Sequence, residues 1–317
     1  MKLLAPFLFV TLALSGCAEL DALLEDLEGA ETREPLPGGQ LVVHYVDVGQ
    51  GDGVIWELPG GQFVVVDCGD VTGPDDSPMV DALQGLGLAK GDSIWGFISS
   101  HGHRDHIGGC DEVFDAYKIE RIYETWYGGS DRPTSYKRFQ EKIEAEVLLG
   151  AQLYSLGDGP AAIPFQQGDV IPLGQDGITA QILWPPAQAS RWDYIAEHSI
   201  VVRLSAGGVD FCFQGDIELG EEEKLVNSGF DVDCEVYLAG HHGSKYASGE
   251  NWLAAMSPEH TVVSFGNNGY GHPTDDALCR IAAVGSQIYF TYGEDVEVAT
   301  DGVNITVSAA PQTVTGC

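Results

Sequence analysis

The chain has 317 residues, with 15 Lys+Arg against 48 Asp+Glu and a formal charge of −33. Such a balance disfavours any surface built to follow a nucleic-acid backbone, because phosphate binding requires a basic stripe. With 44% hydrophobic and only 20% charged residues, the chain can bury a large core, which excludes a mostly disordered acidic polymer.

The chain opens with Lys2, an apolar run from Leu3 to Ala13, and Leu14-Ser15-Gly16-Cys17. A positive residue, a short apolar stretch and small residues before a cleavage point are the layout of an export signal, too short for a membrane span that stays in place. It resembles the lipobox of bacterial lipoproteins, which implies cleavage before Cys17 and lipidation of its thiol. The expected boundaries are a signal peptide over 1–16, the lipidated cysteine with an acidic linker over 17–40, and a folded domain over 41–317. The linker carries Glu19, Asp21, Glu25, Asp26, Glu28, Glu31 and Glu34 against Arg33 alone, then Pro35, Pro37, Gly38 and Gly39, the composition of a solvated spacer. The remaining cysteines, Cys68, Cys110, Cys212, Cys234, Cys279 and Cys317, are even in number, as export would favour for disulfides, and none form a CxxC pair. Their pairing stays open.

In the body, Leu41–Val48, Val54–Leu58 and Phe63–Asp67 read as strands, the last two joined by the hairpin signal Pro59-Gly60-Gly61. A helix over Ser77–Leu86, a buried strand over Ile94–Ser99 and a helix–strand–helix set over Asp111–Leu149 follow. Gln152–Leu156 and Ile178–Trp184 read as strands. The order then repeats, with strands over Ile200–Leu204 and Val209–Phe213, a helix over Glu218–Asn227 and a strand over Glu235–Ala239. The tail adds a strand over Thr261–Phe265, a helix over Thr274–Val284 and strands over Ile288–Tyr292 and Val296–Ala299. Two comparable halves in this order predict an α/β fold, an αββα sandwich of two mixed sheets packed face to face with helices outside.

After the buried strand comes His101-Gly102-His103-Arg104-Asp105-His106. Three imidazoles and a carboxylate on one short loop offer nitrogen and oxygen ligands suited to Zn, Mn or Fe rather than Ca or Mg. His101 and His103 can address one ion while Asp105 and His106 address its neighbour. Of the nine histidines, all but His44 and His260 fall in this loop or in the later segments around His198, His241, His242 and His272.

The His101–His106 spacing matches the metal-binding signature of the metallo-β-lactamase superfamily. Val46-Asp47-Val48-Gly49-Gln50-Gly51-Asp52, Val66-Asp67-Cys68-Gly69, Gln214-Gly215-Asp216, Gly240-His241-His242-Gly243-Ser244 and Tyr270-Gly271-His272-Pro273 are similar, in the same order, to the hydrolase domain of ComEC-type competence proteins. This resemblance implies a metallo-β-lactamase fold and two divalent metal ions, Zn first, with Mn or Fe as alternatives. It places Asp216 as the carboxylate shared by both metals, with His101, His103, Asp105, His106 and one of His241 and His242, His241 being the expected ligand, among the others. His198 stands where ComEC-type relatives often have Asn, and is expected as a third ligand of the first metal. Asp105, Asp216, His242 and His272 are the expected catalytic residues, a histidine protonating the leaving group. Ser244 and Lys245 are expected to bind an anionic phosphate, and Asp47, Asp52 and Asp67 to orient loops rather than touch metal.

The resemblance implies phosphodiester cleavage by water activated between two cations. The acidic body favours a small or surface-borne phosphodiester over long nucleic acid. Hydrolysis of another ester, thioester or lactone, and a non-catalytic metal-stabilised binding module, are the alternatives, since fold alone does not settle the reaction. The expected location is the cell envelope, with the membrane reached through the lipid anchor only and the outer membrane as its site in a Gram-negative cell.

Overall fold

The computed structural model describes residues 35–70, 77–125, 133–156, 162–186 and 195–317. The chain divides into Met1–Arg33 and Glu34–Cys317. The expected signal peptide, Cys17 and most of the acidic linker lie outside the described residues.

The first sheet holds β1 (Leu41–Tyr45), β2 (Gly53–Glu57), β3 (Phe63–Cys68), β5 (Gly96–Ile98), β7 (Arg121–Thr125), β8 (Gln152–Leu156) and β9 (Ile163–Pro164), with β17 (Val296–Thr300) and β18 (Ile305–Val307) on its other edge. A small pair is formed by β4 (Ser93–Ile94) and β6 (Lys118–Ile119). The second sheet runs β10 (Val170–Ile171), β11 (Ile178–Trp184), β12 (Val201–Ala206), β13 (Val209–Phe213), β14 (Val236–Leu238), β15 (His260–Val263) and β16 (Gln287–Phe290), each beside the next.

Both sheets follow one plan. Antiparallel hairpins come first: β1 with β2 and β2 with β3 in one, and β11 with β12 and β12 with β13 in the other. Parallel strands follow, β3-β5-β7 and β13-β14-β15, as helical crossovers between neighbouring strands require. Side chains alternate accordingly. Val64 and Val66 point into the apolar layer between the sheets while Val65 packs under the helices, and Phe211 and Phe213 face inward while Cys212 faces out.

Three separate apolar layers result. The middle one joins Val43, Trp56 and Ile98 of the first sheet to Ile182, Leu204 and Leu238 of the second. The second layer packs Met79, Leu83, Val113, Phe139 and Ile143 of the helices Pro78–Gly85, Cys110–Ala116 and Thr134–Leu149 on the first sheet. The third packs Leu225, Trp252, Leu253 and Ile281 of Leu219–Val226, Glu250–Met256 and Asp275–Ala283 on the other. Helix, sheet, sheet, helix is the αββα sandwich that the repeated order predicts.

Local chemistry explains the ends. Ser77 caps its helix by accepting from the Val80 amide, with Pro78 in the first turn, and Gly150 closes Thr134–Leu149 in a left-handed conformation, φ 111°. Several features depart from the expected elements. The first strand stops at Tyr45 rather than Val48, because the chain turns just after Val46, where the Val48 amide bonds the Val46 carbonyl at 2.9 Å. The helix Glu250–Met256 and β18 lie outside the expected elements, and β17 pairs with β1 in the first sheet. Disulfides join Cys212 to Cys234 and Cys279 to Cys317, and Cys68 and Cys110 are buried thiols.

Candidate metal centre

The functional loops leave the C-terminal ends of parallel strands in both sheets. Asp67 is the penultimate residue of β3, His101–His106 follows β5, Asp216 follows β13, His241 and His242 follow β14, and His272 lies beyond β15. Parallel strands point their ends to one edge, so five loops far apart in sequence meet there.

Asp216 is at the centre, almost fully buried. Its Oδ1 lies 3.2 Å from His106 Nε2 and 3.6 Å from His242 Nε2, and its Oδ2 lies 3.5 Å from His101 Nε2 and 3.7 Å from His241 Nε2. His103 completes the Oδ2 side, its Nδ1 2.9 Å from His101 Nε2. Asp105 approaches the other side, with Oδ2 3.4 Å from His242 Nε2. Four rings thus direct Nε2 at a single carboxylate, two to each oxygen.

The opposite edges of these rings are held. His106 Nδ1 donates to Asp67 Oδ2 at 2.8 Å. His242 Nδ1 donates to the Ser264 carbonyl at 3.1 Å and has Asp52 Oδ1 at 3.3 Å. A carbonyl only accepts, so the proton of His242 is on Nδ1 and the Nε2 lone pair faces inward. Ser100 Oγ donates to Asp67 Oδ2 at 2.5 Å and lies 3.1 Å from His101 Nδ1. Asp67 therefore supports His106 directly and His101 through a hydroxyl.

These donors fit divalent cations. Ligand atoms of Asp52, His106, Asp216 and His242 lie within 4.8 Å of one another, as do those of His101, His103 and Asp216. His106 Nε2, His242 Nε2 and Asp216 Oδ1 are buried yet make no hydrogen bond, a costly arrangement unless a cation satisfies them. Asp52 belongs to the group by distance but meets the Nδ1 edges of His106 and His242, at 3.9 and 3.3 Å, so it steadies the rings from behind.

Charge balance agrees. Burial works against the Asp216 carboxylate, but His106, His242 and His101 outweigh it and hold its pKa well below the usual range. Burial likewise disfavours charge on His242, while Asp216 and Asp52 override it and lift its pKa to about 10. His103 goes the other way, down to about 4, because burial and His101 both resist its proton. Carboxylates here demand positive charge, which protons supply when metal does not.

Adjacent histidines reach opposite oxygens of Asp216 because the backbone is left-handed at both, φ 49° at His241 and 54° at His242, with Gly243 at 76°. Such conformations at non-glycine residues concentrate at functional sites. Gly51 is required for another reason. A Cβ there would sit 1.7 Å from the Asp105 carbonyl oxygen, so only glycine lets the first loop close on the metal loop.

A cleft of about 340 Å³ opens over the centre, lined by Gln50, His103, Arg104, Asp105, Pro133, Ser135, Asp216, His241, His242, Tyr270 and His272. His272 is half-buried, its ring 5.5 Å from that of His241 and stacked at 6.0 Å on exposed Tyr270. Burial first, then His241 and His242, lower its pKa.

The expected residues are therefore gathered unevenly. His101, His103, Asp105, His106, Asp216, His241, His242 and His272 share one place. His242, expected as catalytic, aims Nε2 at Asp216 Oδ1 as a ligand would, while His241, expected as the ligand, faces Oδ2 across the carboxylate. His198, half-buried at the end of the 3-10 turn Ile195–His198, is not in either set of close ligand atoms, and neither are Asp105 and His241. Ser244 and Lys245 do not line the cleft. Ser244 Oγ instead accepts from the Tyr246 amide, and the Lys245 ammonium lies 5.0 Å over the Tyr246 ring. Arg104, Gln50, Ser135 and Tyr270 were not singled out as substrate contacts. Arg104 carried a signal, as a base inside the ligand run of a strongly acidic chain.

Layer order, ligand loops at the parallel strand ends and a shared central carboxylate now stand together. The fold is metallo-β-lactamase-like. No family model matches the chain. It is 36% identical over 260 residues to competence protein ComA of Neisseria gonorrhoeae, covering 81% of this chain and 32% of that one. It is 25% identical over 254 residues to ComE operon protein 3 of Bacillus subtilis, covering 74% and 30%. The chain thus spans about a third of the length of these curated relatives, at 32% and 30%. Among solved structures it is similar to the metallo-β-lactamase SMB-1, at 14% identity and TM-score 0.43 over 80% of this chain and 97% of that one. It is also similar to MEM-A1, a subclass B3 metallo-β-lactamase from a soil metagenome library, at 12% identity and TM-score 0.41 over 80% and 97%.

Proposed function

We propose that the chain is an exported, lipid-anchored hydrolase that cleaves phosphodiesters with two divalent cations, Zn first. One observation carries the reading: four imidazoles place Nε2 around the two oxygens of a single buried carboxylate, Asp216. His101 and His103 would hold one cation, His106, His242 and Asp105 the other, with Asp216 shared. Cations there supply Lewis acidity toward a phosphoryl oxygen and lower the pKa of water.

The chain's own residues do the rest. Asp67, Ser100, Asp52 and the Ser264 carbonyl keep the rings oriented, so little reorganisation is needed during reaction. His272 stands on the cleft wall, within reach of a bound ester for proton exchange. Arg104, tied through Nε to Asp70 at 2.6 Å, is the one Lys or Arg among the described lining residues and offers an anion its cationic partner. Similarity to competence proteins supports a phosphodiester and an envelope setting. The charge of −33 supports a small or surface-borne ester over long nucleic acid. No helix among the described residues is long and apolar enough to cross a membrane, and the anchor proposed is the lipid on Cys17.

The test is hydrolysis of a chromogenic phosphodiester by the purified chain supplied with Zn or Mn, beside Asp216→Asn. The expected result is metal-dependent turnover that falls more than ~100-fold in the variant, beyond the loss typical of residues that merely support ligands. A folded, metal-loaded protein without turnover on this substrate would sink the phosphodiesterase reading.

A further inference from the structure

We propose that His241 serves the first cation, beside His101, His103 and Asp216, and that Glu218 is the positioning residue that holds its ring there; this rests on the two-cation reading above. Three observations converge. His241 Nε2 approaches Asp216 Oδ2, the oxygen that faces His101, whereas His242 approaches Oδ1, the oxygen that faces His106; His241 stands just outside the close set His101, His103 and Asp216, so a shared cation would draw its ring inward. The left-handed backbone at both residues turns neighbouring side chains to opposite sides of one carboxylate, which a helix or strand would not do.

The third observation lies behind the ring. His106, His242 and His101 each have an oxygen at Nδ1, from Asp67, Ser264 with Asp52, and Ser100. His241 repeats the pattern: its Nδ1 has Glu218 Oε1 at 3.4 Å. That nitrogen is buried without a hydrogen bond, so a small rotation of Glu218 gives it an acceptor. A carboxylate there fixes the tautomer and makes Nε2 the donor atom toward metal. Glu218 stands two residues past Asp216, so the same short loop supplies the shared carboxylate and the support for the fourth ring.

The test is Zn stoichiometry and affinity, read by competition with a chromophoric chelator on the folded full chain. His241→Asn is used because Asn tolerates the left-handed conformation, and near-UV circular dichroism confirms folding. Wild type is expected to bind two ions and His241→Asn one tightly. Adding His101→Ala to His241→Asn should cost no further ion, because both serve the same one; adding His106→Ala should remove the second. Glu218→Gln should weaken the ion lost in His241→Asn by about 10- to 100-fold and have no further effect in the His241→Asn background. The inference is overturned if His241→Asn keeps two tight ions, if the pairing with His101 and His106 is reversed, or if the Glu218→Gln effect persists without His241. Absence of tight Zn binding by folded wild type would instead overturn the two-cation reading itself.

Discussion

Asp67 sits under both halves of the centre at once. It is the penultimate residue of β3, at φ 55°, accepts from the Ser100 amide at 2.7 Å and from His106 Nδ1 at 2.8 Å, and takes the Ser100 hydroxyl that meets His101. Asp67→Asn is therefore expected to weaken both cations by about 10- to 100-fold, measured by chelator competition. Weakening confined to the His106 side would show that the hydroxyl does not transmit support to His101. Gly51 acts by size and by its backbone, which takes φ 120°. Gly51→Ala places a methyl against the Asp105 carbonyl, so a loss of roughly 1–3 kcal/mol in denaturant unfolding is expected, together with weaker metal binding as Asp105 and His106 shift.

At the scale of elements, the helix Leu219–Val226 is tied to the end of β13 and to the start of Glu250–Met256 through a buried carboxylate. Glu222 accepts from the Ser248 amide at 2.6 Å, the Gly249 amide at 2.8 Å and Gln214 Nε2 at 2.5 Å, and Gln214 Oε1 accepts from Trp252 Nε1 at 2.8 Å. Gln214 thus braces the turn that presents Asp216, which gives the first residue of Gln214-Gly215-Asp216 a structural task. Burial lifts the Glu222 pKa to about 7 despite these donors. A carboxyl raised on folding contributes stability that is fully present below its unfolded pKa and is lost as pH rises through the folded value. The denaturant midpoint should accordingly fall between about pH 5 and about pH 8. Glu222→Gln, which cannot ionise, should flatten that fall while lowering stability at the acid end, because one amide donor then faces another. An unchanged slope would show that Glu222 does not set it.

For the whole molecule, three apolar layers carry the stability, and the two disulfides fasten the second half. Cys279, on Asp275–Ala283, is joined to Cys317 across a separation of 38 residues. Replacing both by serine is expected to lower unfolding free energy by roughly 2–4 kcal/mol through the larger freedom of the unfolded chain. Neither cysteine lines the cleft over the centre, so Zn affinity should stay at the wild-type value; a parallel loss of metal would mean that this tie also shapes the site. The strong acidity has a different consequence. It favours solubility and repels long polyanions at low salt, and it says nothing about which strands pair.

Much of this was legible in the sequence. Period-two runs marked the strands from Val54 to Phe213, Ser77-Pro78 marked a helix start, and His101–His106 marked a metal loop, because each signal is local and backbone geometry alone turns it into structure. The shorter helix Glu250–Met256 and the return of β17 to β1 were not legible, since weak local patterns acquire their place only from the surface they cover. The division of labour at the centre was decided by tertiary structure. Adjacent letters His241 and His242 give no hint that a left-handed turn sends them to different oxygens, nor do Ser244 and Lys245 show that they are absent from the cleft lining. Residue types and spacing along the chain determine which ligands exist. Which nitrogen faces which oxygen is set only when loops from two sheets meet, because those contacts join residues far apart in sequence.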